Sequence, residues 1–156
     1  MDKLHAEKSA VIDAPPQVVY DILADYHDGH PHILPPKYFR GLDVEQGGIG
    51  AGTVILVHSS VMGRAQTMRM AVSEPEPGRV LMETDVDSGI VSTFTCDPVA
   101  EGRQTRLTIA TDWPIGPGLS GFMNRLLIPG ILRRMYADEL QVIARYLADR
   151  GATGSS

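Results

Sequence analysis

The chain has 156 residues, 43% of them hydrophobic, and its 14 basic and 19 acidic side chains give a net charge of −5. This length suits one domain with its own core, and the acidic balance argues against a nucleic-acid partner. A single cysteine, Cys96, excludes an internal disulfide and a cysteine-built zinc site, which fits a cytoplasmic location. No apolar run is long enough for insertion through a membrane.

The first predicted elements are a strand at residues 5–13 and a short helix. Pro16 suits a first helical turn, and the four apolar residues that end in Tyr26 recur at helical spacing. The loop that follows is rich in His, Pro and Gly, so it is irregular apart from one helical turn around His30–Leu34.

About six β-rich segments follow, between residues 40 and 113. Short turn signals separate them, so we expect hairpins and an antiparallel sheet. The last element is a long helix over residues 118–149. Pro129-Gly130 interrupts its apolar pattern, and we expect a break or kink there. Residues 151–156 form a disordered tail.

This element order indicates an α+β protein. One sheet and one long helix enclose a core if the sheet curves strongly around the helix. The space between them then becomes a cavity.

Four segments, in order along nearly the whole chain, resemble the START-related (SRPBCC) superfamily of lipid-transfer domains, plant allergens of the birch-pollen type and aromatic polyketide cyclases. The segments are IDAPPQVVYDILADY, GGIGAGT, AVSEPEPGRVLM and GRQTRLTI. The resemblance implies a helix-grip fold, in which about seven curved antiparallel strands wrap a long C-terminal helix, with short helices after the first strand. Residues 1–150 would form a single START-like ligand-binding domain.

Strand side chains alternate between two faces, so each strand contributes one face to the cavity. We expect these faces to be mostly apolar, with a pliable methionine wall. The predicted ligand-binding residues are Tyr26, His30, Leu56, His58, Met68, Met70, Met82, Thr84, Phe94, Ile109, Thr111, Trp113, Phe122, Met123 and Leu126.

The segment RVLMETDV presents one apolar and one acidic face. We expect Val80, Met82 and Thr84 to point inward. Glu83 and Asp85 then lie on a solvated edge, where they take no part in acid–base chemistry or calcium binding.

Two histidines are candidates for catalysis. His58 lies in a strand that is apolar on both faces, so periodicity leaves its direction open, and His30 borders the predicted cavity mouth. His27, His30 and His32 are close in sequence, but no carboxylate or thiol at ligand spacing accompanies them. We therefore expect neither a metal nor a cofactor.

Three functions compete. The leading one is non-enzymatic binding or carriage of a small hydrophobic molecule, such as a lipid, a polyketide or another aromatic metabolite. The first alternative is a polyketide cyclase or dehydratase that uses a cavity histidine. The second is a protein-interaction or chaperone-cofactor module with an exposed apolar patch around residues 126–132. The sequence leaves open whether the protein is a monomer or a homodimer.

Ligand entry requires an opening. We expect the histidine-rich loop and the Pro129-Gly130 segment to form a mobile gate with Leu127, Ile128 and Ile131 as its apolar lip. The alternative is a static bend at Pro129.

Overall fold

The computed structural model describes residues 3–61 and 63–153, and its elements follow the predicted order. The strands are β1 (Lys3–Ile12), β2 (Phe39–Gln46), β3 (Val54–Val61), β4 (Arg64–Glu76), β5 (Val80–Asp85), β6 (Val91–Val99) and β7 (Gln104–Pro114). The helices are α1 (Pro16–Ala24) and α2 (Gly118–Thr153), with short 3₁₀ helices at His30–Ile33 and Ala100–Gly102.

The seven strands form one antiparallel sheet in the order β1-β7-β6-β5-β4-β3-β2. Each strand from β2 to β7 pairs with its neighbour in sequence, as the short turns predict, and β1 closes on β7. Helix α2 packs against β1, β7 and the first 3₁₀ helix. The predicted α+β helix-grip architecture is confirmed.

Helix α2 continues through Pro129, so the expected break is absent. Proline removes one hydrogen bond, to the carbonyl of Arg125, from a helix of 36 residues. The helix ends at Thr153, so it includes the first three residues of the predicted disordered tail. The last three residues of that tail, 154–156, lie outside the described residues. No helix in the described ranges is both long and apolar enough to cross a bilayer.

The two ends of α2 have different surroundings. The apolar side chains from Leu132 onward are buried against the sheet: Leu132, Met135, Tyr136, Leu140, Ile143 and Leu147. Those of its first third are exposed to solvent: Leu119, Phe122, Met123, Leu126 and Leu127. Only the part of α2 from Ile128 onward therefore contributes to the core.

Candidate functional site

A cavity of about 210 Å³ lies between α2 and the sheet. Apolar side chains form most of its wall, which suits a ligand with an apolar body. Seven of the predicted ligand-binding residues line it: His30, Met68, Met70, Phe94, Ile109, Thr111 and Trp113. The alternation of β4, β6 and β7 placed six of these seven on the inward face.

The other predicted residues do not line this cavity. Leu56, Met82 and Thr84 belong to the opposite face of the sheet, because the residues next to them in their strands point inward. Phe122, Met123 and Leu126 are exposed on the first third of α2, since that part of the helix extends past the core.

Strand β5 presents its acidic face to the interior, so the predicted direction is wrong. Glu83 pairs with Val72 of β4 and with Ser92 of β6, and residues directly opposite in a ladder share a face. Because Ser92 lines the cavity, Glu83 does so too. Asp85, two residues along, is also buried and accepts a hydrogen bond of 2.6 Å from the Ser88 hydroxyl in the β5–β6 turn.

His30 reaches the cavity because the loop before it folds tightly against α1. The carbonyl of Asp25 accepts hydrogen bonds from the backbone N–H groups of Gly29 and His30, at 3.0 and 2.7 Å. The imidazole Nδ1 lies 2.8 Å from the carbonyl oxygen of Leu23. A carbonyl only accepts, so Nδ1 carries a hydrogen and Nε2 is left to face the site.

His30, Glu83 and Tyr26 form a buried polar cluster. The Tyr26 hydroxyl donates to Glu83 Oε1 at 2.7 Å, and His30 Nε2 lies 3.5 Å from the same oxygen. The Tyr26 ring stacks on the imidazole with ring centroids 4.6 Å apart, so Tyr26 stands behind His30 and does not itself line the cavity. Burial and the Glu83 charge hold the pKa of Tyr26 well above its usual value.

His30 and Glu83 place an imidazole and a carboxyl group side by side in the cavity wall. Both are side chains that enzymes use as general acids or bases, and both face the space that a bound molecule would occupy.

Glu139 is a second buried carboxyl group in the cavity wall. Its side chain is 3% exposed, and no side-chain hydrogen bond reaches it from the described residues. Burial, followed by repulsion from Glu83, raises its pKa to about 8. Glu139 is not among the residues predicted from the sequence, although its spacing of seven from Leu132 puts it on the apolar stripe of α2.

The polar part of the wall also includes Gln66 and several hydroxyl groups. The Tyr136 hydroxyl bonds to Thr111 Oγ1, which lies 3.0 Å from Ser92 Oγ. Burial raises the pKa of Tyr136 to about 12, so this hydroxyl stays protonated. Ser59 Oγ is buried in the wall without any hydrogen-bond partner among the described residues.

His58, the other catalytic candidate, lies outside the cavity on the outer face of β3. Its Nε2 is 2.7 Å from Asp43 Oδ2 and its Nδ1 is 3.0 Å from Thr67 Oγ1, both exposed side chains on neighbouring strands. These contacts join three strands at the surface. His58 is thus separate from the cluster around His30.

The three loop histidines point to different places. His27 lies against Gly48, His30 is buried, and His32 stacks on Tyr146 with ring centroids 5.3 Å apart. Within the described ranges, no group of three or more His, Cys, Asp or Glu side chains is arranged to hold a metal ion.

An antiparallel sheet that grips a C-terminal helix over an apolar cavity defines the START-like class of protein. The family described as polyketide cyclase / dehydrase and lipid transport matches residues 3–148, and the chain belongs to this family. The superfamily resemblance carried by the four sequence segments is confirmed. No curated protein sequence matches the chain.

Solved structures agree with this assignment. The solution structure of KanY protein is 27% identical, with a TM-score of 0.80 over 95% of this chain and 99% of its own. The Zhui aromatase/cyclase from a Streptomyces species is 17% identical, with a TM-score of 0.81 over 99% of both chains. A major latex-like protein from Panax ginseng is 15% identical, with a TM-score of 0.64 over 92% of this chain and 97% of its own. The last two show likeness of fold alone.

Proposed function

We propose that the protein binds a small, largely apolar molecule that carries at least one polar group in the cavity under α2. The observation that carries this proposal is an apolar cavity of about 210 Å³ whose wall includes two buried polar groups, Glu139 and Ser59, that no side-chain hydrogen bond reaches from the described residues. Buried polar groups without partners cost about 1–3 kcal/mol each, and a ligand would offset that cost. Membership of a family described by polyketide and lipid chemistry supports the same function.

A pair of matched tryptophan substitutions tests ligand binding. Met70→Trp fills the cavity, because Met70 is buried in its wall. Met82→Trp adds the same bulk on the outer face of β5. With 1-naphthylmethanol as the probe, we expect Met70→Trp to weaken binding at least about tenfold and Met82→Trp to change it less than about twofold. Equal affinity in the wild type and a folded Met70→Trp variant would remove the cavity as the binding site.

Acid–base catalysis is the second candidate function, and the buried imidazole of His30 beside the Glu83 carboxyl group favours it. Cyclisation and dehydration of polyketide-like molecules both begin when a base removes a proton next to a carbonyl. His30 Nε2 or Glu83 would accept that proton, and Tyr26 would stabilise the carboxylate. The cavity histidine that the alternative function requires is then His30 and not His58.

Proton exchange on a simple ketone tests this second candidate. In heavy water, the wild type should speed deuterium uptake next to the carbonyl of bound 2-tetralone. We expect His30→Gln and Glu83→Gln to slow that exchange by at least about a hundredfold, the size of a typical general-base contribution. His58→Gln is the matched control and should leave the rate unchanged. Wild-type exchange at the buffer rate would leave ligand binding as the whole function.

Two further predictions concern the setting in which the protein works. A cytoplasmic location is tested by cell fractionation, and the choice between monomer and homodimer by sedimentation of the purified chain.

A further inference from the structure

The cavity wall carries more acid than base. Glu83 and Glu139 both line it, whereas none of the described lining residues is Lys or Arg. His30 can supply one positive charge, and it already lies beside Glu83, which Tyr26 also contacts. Glu139 has no such partner among the described residues. The site therefore lacks one counter-charge.

Building on the binding function above, we propose that the ligand carries a basic nitrogen and that its ammonium group pairs with Glu139. An ammonium ion would donate charge-assisted hydrogen bonds to a carboxylate that receives none from the side chains of the described residues. It would also reduce the repulsion between Glu139 and Glu83.

The rest of the wall suits a cation with an apolar body. Phe39, Phe94, Trp113 and Tyr136 all line the cavity, and aromatic faces attract an ammonium group in a desolvated site. Methionine and aliphatic side chains supply most of the remaining surface. A purely apolar molecule would fill this space but would leave Glu139 without a partner.

Ser59 is independent evidence that the missing partner is a ligand. Its side chain is on β3, it is 4% exposed, and its buried hydroxyl lines the same cavity without a hydrogen-bond partner. Native structures rarely leave such a group unpaired. The cavity wall thus contains two buried polar side chains that no side-chain hydrogen bond reaches from the described residues, Ser59 on β3 and Glu139 on α2.

Binding of an ammonium ion to Glu139 releases a proton. Among the described residues, the titratable groups that interact with Glu139 are Glu83 on β5, Tyr26 from the segment after α1, and Tyr136 on α2. His30 lines the same cavity. Because burial and Glu83 raise its pKa to about 8, the Glu139 carboxyl is mainly protonated at neutral pH. The ammonium ion keeps its own proton, and the carboxyl proton leaves to solvent.

Calorimetry with two matched probes tests the proposal. 1-Naphthylmethylamine and 1-naphthylmethanol have the same ring and nearly the same size, but only the amine is cationic at about pH 7. We expect the amine to bind at least about tenfold more tightly, as a buried charge-assisted hydrogen bond provides. Titrations in two buffers of different protonation enthalpy should report release of up to about one proton for the amine and none for the alcohol.

Variants assign the effect to Glu139. Glu139→Gln should bind the alcohol as the wild type does, which shows that its cavity is intact, and should lose both the amine preference and the proton release. Glu101→Gln, at an exposed position, is the matched control and should keep both.

Each failure has a distinct meaning. If the wild type binds both probes equally, the amine inference is overturned while the binding function stands. If amine binding releases no proton, or if Glu139→Gln keeps the preference, Glu139 is not the partner. If neither probe binds, the binding function fails and this inference fails with it.

Discussion

Glu139 is a carboxyl group in a mostly apolar cavity wall, and none of the described residues of that wall is Lys or Arg. Its neighbours on the same face of α2, Leu132 and Met135, are the residue types that stabilise a core. A carboxyl group at this position costs stability whenever it ionises, because burial and Glu83 both disfavour its charged form. Such a residue is expected where binding or chemistry, and not stability alone, determines the side chain.

The pH dependence of stability follows from this pKa. The pKa of Glu139 is about 8 in the folded protein against 4.5 for a free side chain, so between these values the unfolded chain releases a proton that the folded chain keeps. The free energy of unfolding therefore falls as pH rises through this window, by at most about 1.4 kcal/mol per pH unit from this group.

Glu139→Gln does not titrate, so its advantage over the wild type should grow between about pH 5 and pH 8 and stay constant above that. Urea unfolding of both proteins across this range measures the difference. A constant difference would mean that Glu139 is ionised at every pH tested.

Gly29 and Gly130 have different surroundings, and a pair of alanine substitutions tests this difference. A Cβ at Gly29 would overlap the carbonyl oxygen of Ile22, so Gly29 allows the loop to pack tightly on α1 and does not serve to loosen it. A Cβ at Gly130 would meet nothing. We expect Gly29→Ala to cost at least about 2 kcal/mol of unfolding free energy, and Gly130→Ala to gain up to about 1 kcal/mol. Thermal unfolding measures both, and equal effects would contradict the packing.

At the scale of elements, alternation predicted the inward face of β4, β6 and β7 but not that of β5. The hydropathy of β5 favours Met82 and Thr84 as the buried face. The ladder decides otherwise, because pairing with β4 places Met82 opposite Ser73 and Thr84 opposite Ala71, both on the outer face. The pairing of β5 with its neighbours in a seven-stranded sheet determines which face is buried, and it outweighs the hydropathy of this one six-residue strand.

Helix α2 shows a second limit of prediction from apolar spacing. The apolar spacing of Phe122 and Leu126 is genuine, but a pattern gives the face of a helix and not how far its partner extends. We predict that Phe122→Ser and Leu126→Ser each change the affinity for 1-naphthylmethanol less than about twofold, since both side chains are exposed and outside the cavity wall. Fluorescence titration measures this, with Met70→Trp as the positive control. A loss comparable to that of Met70→Trp would mean that the first third of α2 covers the ligand.

At the scale of the whole molecule, the sequence predicted the architecture well because turns and strand alternation are local signals. The cavity chemistry depends on long-range contacts. Glu83 meets Tyr26 across 57 residues, and no spacing rule connects them. His30 could be proposed from its expected position near the cavity mouth. Its partner Glu83 could not be predicted, because β5 was expected to present Glu83 to solvent.

The gate also concerns the whole molecule, and it stays a prediction. Ile128 and Ile131 line the cavity, whereas Leu127 is exposed. We expect 1-naphthylmethanol to slow hydrogen exchange in residues 27–36 and 126–132. Unchanged exchange in both segments, with the probe bound, would favour a static helix around Pro129.

The central claim, that a small apolar molecule occupies the cavity under α2, is tested most directly with the methionine methyl groups. The chain has 7 methionines. Met68, Met70 and Met135 line the cavity, whereas Met82 and Met123 do not. With methyl-labelled protein and 1-naphthylmethanol, we predict nuclear Overhauser contacts from the naphthalene ring to the methyl groups of Met68, Met70 and Met135. Contacts to Met82 or Met123 without these three would contradict the claim.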